Sequence, residues 1–165
     1  MDFEIKHVVT FATERVAETI LDEGFQKSLS DIRPLAERTL LSQEEQDDGT
    51  VLRRVRCVLD LDIKGVARSF IGDGDPAWVE VAVWHPDSTT WTWTIEPELG
   101  EDLLEASGTV TLEPDGDDTV RRVEGKVKVK VPLYGGKVEG WIVDGLERAY
   151  DEEAGRLSEW LESNQ

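Results

Sequence analysis

The sequence predicts an α+β fold in which a curved antiparallel sheet of about seven strands wraps around one long C-terminal helix. Three observations predict it. Apolar residues alternate with polar ones along most of the chain, the signature of strands with one buried face. Turn residues separate those alternating segments at hairpin spacing. Past Pro132 the apolar period changes from two to 3.6, which is helical.

The first strand carries Phe3, Ile5, His7, Val9 and Phe11 on one face, with Asp2, Glu4, Lys6 and Thr10 on the other. Thr13 is then placed as an N-cap, with Glu14 in the first turn, for a short helix through Val16, Ile20 and Leu21. Gly24 interrupts it, and a second short helix around Phe25 to Leu29 stops before Arg33-Pro34. A strand from Glu37 to Gln43 turns at Asp47-Asp48-Gly49 into one with Val51, Val55, Cys57, Leu59 and Leu61 on one parity. Ile63 to Ile71 alternates weakly and reads as a short helix, followed by a Gly72-to-Pro76 loop. Two strand pairs follow. Trp78 to Trp84 joins Thr90 to Glu96 through His85-Pro86-Asp87-Ser88, and Leu103 to Leu112 joins Val120 to Val131 through Pro114-Asp115-Gly116-Asp117. The terminal helix puts Val138, Trp141, Ile142, Gly145, Leu146, Ala149, Leu157 and Trp160 on one side and runs to Glu162.

An antiparallel sheet of this length has an apolar face that must be covered. Only the terminal helix, roughly 25 residues or ~37 Å at 1.5 Å per residue, is long enough to cover it. The sheet must therefore curve, and Gly108 and Gly125 within strands permit a bulge or tight bend. The first strand is free to pair with the last.

The composition excludes several classes of function. At 165 residues the chain fits a single domain spanning 1–165. Eighteen basic against 36 acidic residues give a net charge of −18, which repels nucleic acid and anionic membranes. A hydrophobic content of 39%, spread over every segment, argues against a disordered acidic tail. No apolar run is long enough to span a membrane and no secretory leader is visible, so the expected location is the cytoplasm. One cysteine and two histidines argue against an internal disulfide and a transition-metal site. Gly72 to Asp75 lacks calcium-loop spacing. Neither metal nor cofactor is expected.

The stretch Val127-Lys128-Val129-Lys130-Val131-Pro132-Leu133-Tyr134-Gly135-Gly136-Lys137-Val138-Glu139 resembles the strand-to-helix junction of a bacterial domain family of unknown function. That family lies within the START-like helix-grip superfamily, also called SRPBCC. Phe3-Glu4-Ile5-Lys6-His7 and the strand ending at Trp84 are similar to it as well. The resemblance implies a cavity between sheet and helix that holds an apolar ligand such as a lipid or polyketide. A minority of the superfamily catalyse cyclisation or dehydration there. The narrower family brings no catalytic residues.

Strand parity selects Val55, Val81, Trp91, Trp93, Val110 and Val129 as cavity lining, faced by Trp141 and Ile142 from the helix. His7 and Arg53 share inward parity and are the polar groups expected to orient a ligand, the alternative for His7 being a core histidine satisfied by a backbone carbonyl or a carboxylate. Arg53 has two candidate partners, a ligand carboxylate or Glu153 of the helix, and the alternative is that it lies beyond the cavity mouth and reaches water. Cys57 has no histidine near it in sequence and reads as a core residue. Gly135-Gly136 lacks the rest of any phosphate-loop pattern and reads as a sharp turn. Lys126, Lys128 and Lys130 form an outward stripe explained by pairing with Glu4.

On the strand from Trp78 to Trp84 both faces are apolar. If Val79, Val81 and Val83 face inward, Trp78 and Trp84 face outward and offer a homodimer surface. The reverse register puts both indoles in the pocket. Three functions remain open: binding of an apolar small molecule, a cyclase- or dehydratase-type enzyme using the same cavity, and a protein-interaction module with a closed core.

Overall fold

The computed structural model describes residues 1–60, 68–69, 73–98 and 102–165. One antiparallel sheet contains β1 (Asp2–Val9), β2 (Leu35–Glu45), β3 (Val51–Leu59), β4 (Ala77–His85), β5 (Thr90–Pro97), β6 (Leu104–Asp115) and β7 (Asp118–Val129). Its order is β1-β7-β6-β5-β4-β3-β2, a meander closed by the first strand pairing with the last. Helices α1 (Thr13–Leu21) and α2 (Glu23–Ser28) follow β1, and the long helix α3 (Gly135–Ser163) ends the chain. The expected helix over Ile63 to Ile71 lies outside the described residues, apart from Arg68 and Ser69.

The curved sheet holds α3 in its concave face. Pairing sets Gly108 directly opposite Gly125. Both positions leave room for rings that cross the sheet. A Cβ on Gly125 would come within 2.6 Å of the Phe3 ring and 2.9 Å of Trp93, and one on Gly108 would strike the Glu124 carbonyl. The glycines thus let Trp93 and Phe3 lie flat on the inner face, with ring centroids 6.4 Å apart. Hairpin turns at Gly49 and Gly116 use positive φ values of 85° and 61°, which glycine adopts without steric penalty.

Polar contacts stitch α3 to the β1–β7 edge. Glu139 accepts the Val129 amide at 2.9 Å and meets the N-terminal ammonium at 3.1 Å. His7 Nε2 lies 2.7 Å from Asp151, and Arg121 donates to Glu153 at 2.8 Å. Further along, Leu157 and Leu161 are wholly buried and Trp160 meets Phe25 edge-on at 5.6 Å. At the start of the helix, a Cβ on Gly135 would strike the Val129 carbonyl, so the turn admits no side chain there, whereas Gly136 faces open space.

Some local expectations change. Thr13 lies inside α1, and its hydroxyl is 3.1 Å from that of Thr119 on β7. It ties the helix to the sheet instead of capping it. The capping side chain is Asp22, which accepts from the Phe25 amide at 2.8 Å and starts α2. Lys126 stands opposite Asp2, not Glu4. Glu4 pairs with Arg122 and Lys6, and Lys130 pairs with Glu105.

The largest correction concerns β4. Trp78, Ala82 and Trp84 are buried inside the sheet's curve, while Val79, Val81 and Val83 are half-buried on the outer face. Val81 therefore does not line the cavity. Trp78 and Trp84 are each only 5% exposed and present no dimer surface. The inner face takes the two indoles and Ala82 with Glu80, against three valines outside, and the large aromatic surfaces set the register. Trp84 then packs on its cross-strand partner Trp91 with centroids 5.4 Å apart.

Candidate functional site

Between α3 and the strands β3, β4 and β5 lies a partly open cavity of about 60 Å³. A second lobe of about 20 Å³ adjoins it toward Ile95, Leu104 and Ile142. The two share Trp78, Glu80, Trp93, Leu146 and Tyr150 as a common wall. Apolar walls come from alternation on each strand: Val55 and Cys57 on β3, Trp78 and Ala82 on β4, Trp91 and Trp93 on β5.

The cavity also holds five charged side chains, Arg38, Arg53, Arg121, Glu80 and Glu153, together with the Tyr150 phenol. Arg38 is spoken for: it donates to the Gln26 carbonyl at 2.9 Å and to Gln26 Oε1 at 2.6 Å. Arg121 is held by Glu153 and lies 5.3 Å over the Tyr150 ring. Arg53 donates to the Ile20 carbonyl at 3.1 Å, and its guanidinium lies 4.1 Å over the Trp91 ring. Burial lowers its pKa to about 10, so it remains cationic at neutral pH.

The two carboxylates are driven apart. Burial pushes the Glu80 pKa up, against the pull of Arg53 and Arg38. Burial also acts to raise that of Glu153, but Arg121, Arg38 and Arg53 together outweigh it, and its pKa falls below the ordinary carboxylate value. The Glu80 carboxylate makes no hydrogen bond among the described residues. The Tyr150 phenol is pushed well above its usual range by burial. Burial also lifts the Cys57 thiol to about 12, so it is a packing residue with no thiolate at neutral pH.

Of the residues selected from sequence, Arg53, Val55, Trp91, Trp93 and Val110 line the main cavity and Ile142 the second lobe. His7 does not line either; its imidazole faces Asp151 at the β1 flank of the helix. Its inward parity is real, but β1 lies at the sheet edge where α3 sits directly on it. Val129 is buried at the foot of the helix, and Trp141 is half-buried with the Lys137 ammonium 5.4 Å from its ring centroid. Arg53 does not pair with Glu153, because Arg121 holds that carboxylate.

Four polar residues of the site escaped the sequence reading. Arg121 shares parity with Val123, Val127 and Val129, so the rule applied to those valines also selects it. Glu80 shares parity with Trp78 and Trp84 and follows once the register of β4 is known. Tyr150 stands four residues after Leu146 and three before Glu153, one helical face. Arg38 carried no signal, since irregular pairing between Leu35 and Glu37 shifts the phase of β2.

A comparison with curated proteins finds no match. Solved structures with similar folds include TTHA0849 of Thermus thermophilus, at 16% identity and a TM-score of 0.72, covering 100% of this chain and 99% of that one. The Zhui aromatase/cyclase of Streptomyces sp. R1128 aligns at 12% identity and a TM-score of 0.64, over 98% of this chain and 93% of its own. A START superfamily protein of Mycobacterium smegmatis aligns at 17% identity and a TM-score of 0.60, over 99% of both chains. These likenesses identify the fold as the START-like helix grip. Residues 4–161 match the family described as "Protein of unknown function (DUF2505)", and the chain belongs to that family.

Proposed function

We propose that this chain encloses a small, largely apolar molecule between its sheet and α3. The observation that supports the reading is the cavity itself: indole and aliphatic walls surround a void that α3 roofs without filling. Burial of a ligand there contributes roughly 25 cal/mol per Å² of apolar area, from which association costs are subtracted. The main lobe, at about 60 Å³, is smaller than the ~150 Å³ that accommodates benzene. A ring-sized ligand therefore joins the two lobes by displacing their shared wall. Leu146 and Tyr150, both on α3, are the parts of that wall not fixed in the sheet.

The test uses 2-acetonaphthone, a neutral aromatic probe, with tryptophan emission and native mass spectrometry as readouts. Trp78, Trp91 and Trp93 report directly because they line the site. A saturable 1:1 complex is expected, strengthened in Leu146→Ala, which widens the cavity. Linear, unsaturable quenching in both proteins, with no complex by mass, overturns the proposal.

A second reading, a cyclase- or dehydratase-type enzyme, is favoured by one observation. Glu80 and Glu153, whose pKa values are displaced in opposite directions, share the cavity. One is biased toward a proton donor and the other toward a base or an electrostatic anchor. This reading predicts that Glu80→Gln retains ligand and loses turnover.

A further inference from the structure

We infer that the ligand carries an anionic oxygen group, a carboxylate or an acidic phenolate or enolate, on an aromatic or conjugated body, and that Arg53 receives it. This rests on the cavity-binding reading above and names its ligand class.

Among the described residues, every wholly buried, unpaired polar atom of the main-lobe lining is a donor. Arg53 Nε, Arg121 Nε and Nη1, Trp91 Nε1 and Trp93 Nε1 are all buried N–H groups with no acceptor among the described residues. Each of these residues lines the main lobe. A buried donor without an acceptor is destabilising. A ligand bringing oxygen acceptors relieves that, whereas a hydrocarbon or a cation does not. The charge inventory agrees: three arginines face two glutamates inside a protein of net charge −18. The cavity is a positive interior within a negative shell.

Arg53 stands out among the three cations. Arg121 already holds a carboxylate, and Arg38 is engaged twice by Gln26. Arg53 has no carboxylate in ion-pair contact among the described residues, and one backbone carbonyl takes a single N–H. It is 7% exposed, and its guanidinium lies 4.1 Å over the Trp91 ring, a contact that holds it in the cavity before any ligand arrives. A planar fork held in place suits a planar, delocalised anion. The neighbouring Trp93 ring, which lines both lobes, offers the stacking surface for the body attached to it.

The experiment compares 2-naphthoate with 2-acetonaphthone, which share a ring system and differ in charge. Both are titrated against wild type by tryptophan emission and calorimetry. Naphthoate is expected to bind at least about tenfold more tightly, and its affinity should be nearly unchanged by added salt because the contact is buried. The negative surface acts against this preference, so non-specific adsorption cannot mimic it. Arg53→Met should abolish the preference. Ala82→Asp, which sets a carboxylate directly opposite Arg53 in the sheet register, should abolish the preference as well, whether or not Arg53→Met folds. Equal binding of the two probes, or tighter binding of the ketone, overturns the anion inference and leaves the cavity reading standing. Binding of neither probe overturns both. A naphthoate preference that survives in either folded variant overturns the assignment to Arg53.

Discussion

Glu80 and Glu153 show how one cavity gives the same side chain opposite effects on stability. The folded-state pKa of Glu80 is raised, chiefly by burial, so its contribution is complete below the ordinary carboxylate range and is lost as pH rises toward the folded value. Glu80→Gln should therefore match wild type near about pH 4 and become the more stable protein by about pH 8. Thermal melts across that range read the crossing; a constant difference at every pH would show that Glu80 is not desolvated. Glu153 works the other way. Its lowered pKa gives stability that is present above the ordinary carboxylate value and lost as pH falls through the folded one. Glu153→Gln leaves Arg121 buried with a weaker partner and should destabilise at neutral pH by about 3 kcal/mol. In urea titrations Arg121→Met should recover part of that loss in the double variant, and strict additivity would mean the pair is not coupled. Arg121 was accessible to strand parity and Glu80 was not, because parity reads a face only where one face is polar. On β4 the single charged residue points inward, toward arginines that come from β2, β3 and β7. Compensation from distant strands leaves no trace in a local pattern.

Element by element, the order of strands and helices was legible because each segment is amphipathic in its own period and each turn contains residues suited to it. The terminal helix was legible for the same reason, from Val138 through Trp160. Phase was the harder quantity. The irregular pairing in β2 brings Arg38 inward although Leu35 is inward too, an odd step that alternation forbids. The strand glycines were legible as points of special geometry, but their reason lies across the sheet: they clear space for Trp93 and Phe3. Gly125→Ala should therefore destabilise by about 1–3 kcal/mol through overpacking. Gly155→Ala is the matched control, since Gly155 is exposed within α3 and a Cβ there meets nothing within 4 Å. That change should stabilise by about 0.5–1 kcal/mol through helix propensity. Chemical denaturation of both variants separates the two effects by sign, and a neutral Gly125→Ala would mean that the rings it faces can move aside freely.

For the molecule as a whole, charge is divided between an outer layer and the enclosed cavity. On the sheet's outer face Arg54 pairs with Glu96 at 2.8 Å and Arg56 with Glu98 at 2.6 Å. Such exposed pairs contribute about 0–1 kcal/mol each and weaken with salt. The excess of acidic over basic residues is 18, so most of the outer field is repulsion between like charges, which salt also weakens. The two effects oppose each other, and the net charge of −18 sets the sign: the exposed pairs are each worth little, while the unbalanced acidic charges repel one another across the whole surface. Raising sodium chloride from about 10 mM to about 500 mM shrinks the Debye length from ~30 Å to below ~8 Å, and the melting temperature should rise by about 2–4 °C per kcal/mol of repulsion relieved. Sodium chloride is the right salt because sulfate strengthens apolar burial on its own. Calorimetric melts over that series check the sign. A melting temperature that falls would mean that the ion pairs of the outer face outweigh the net field. The interior should not share in the change, because Arg53 and Trp91 are shut off from the counterions. Stability that rises with salt while the affinity for an aromatic anion stays level is the combined behaviour expected of a negative shell around a positive cavity.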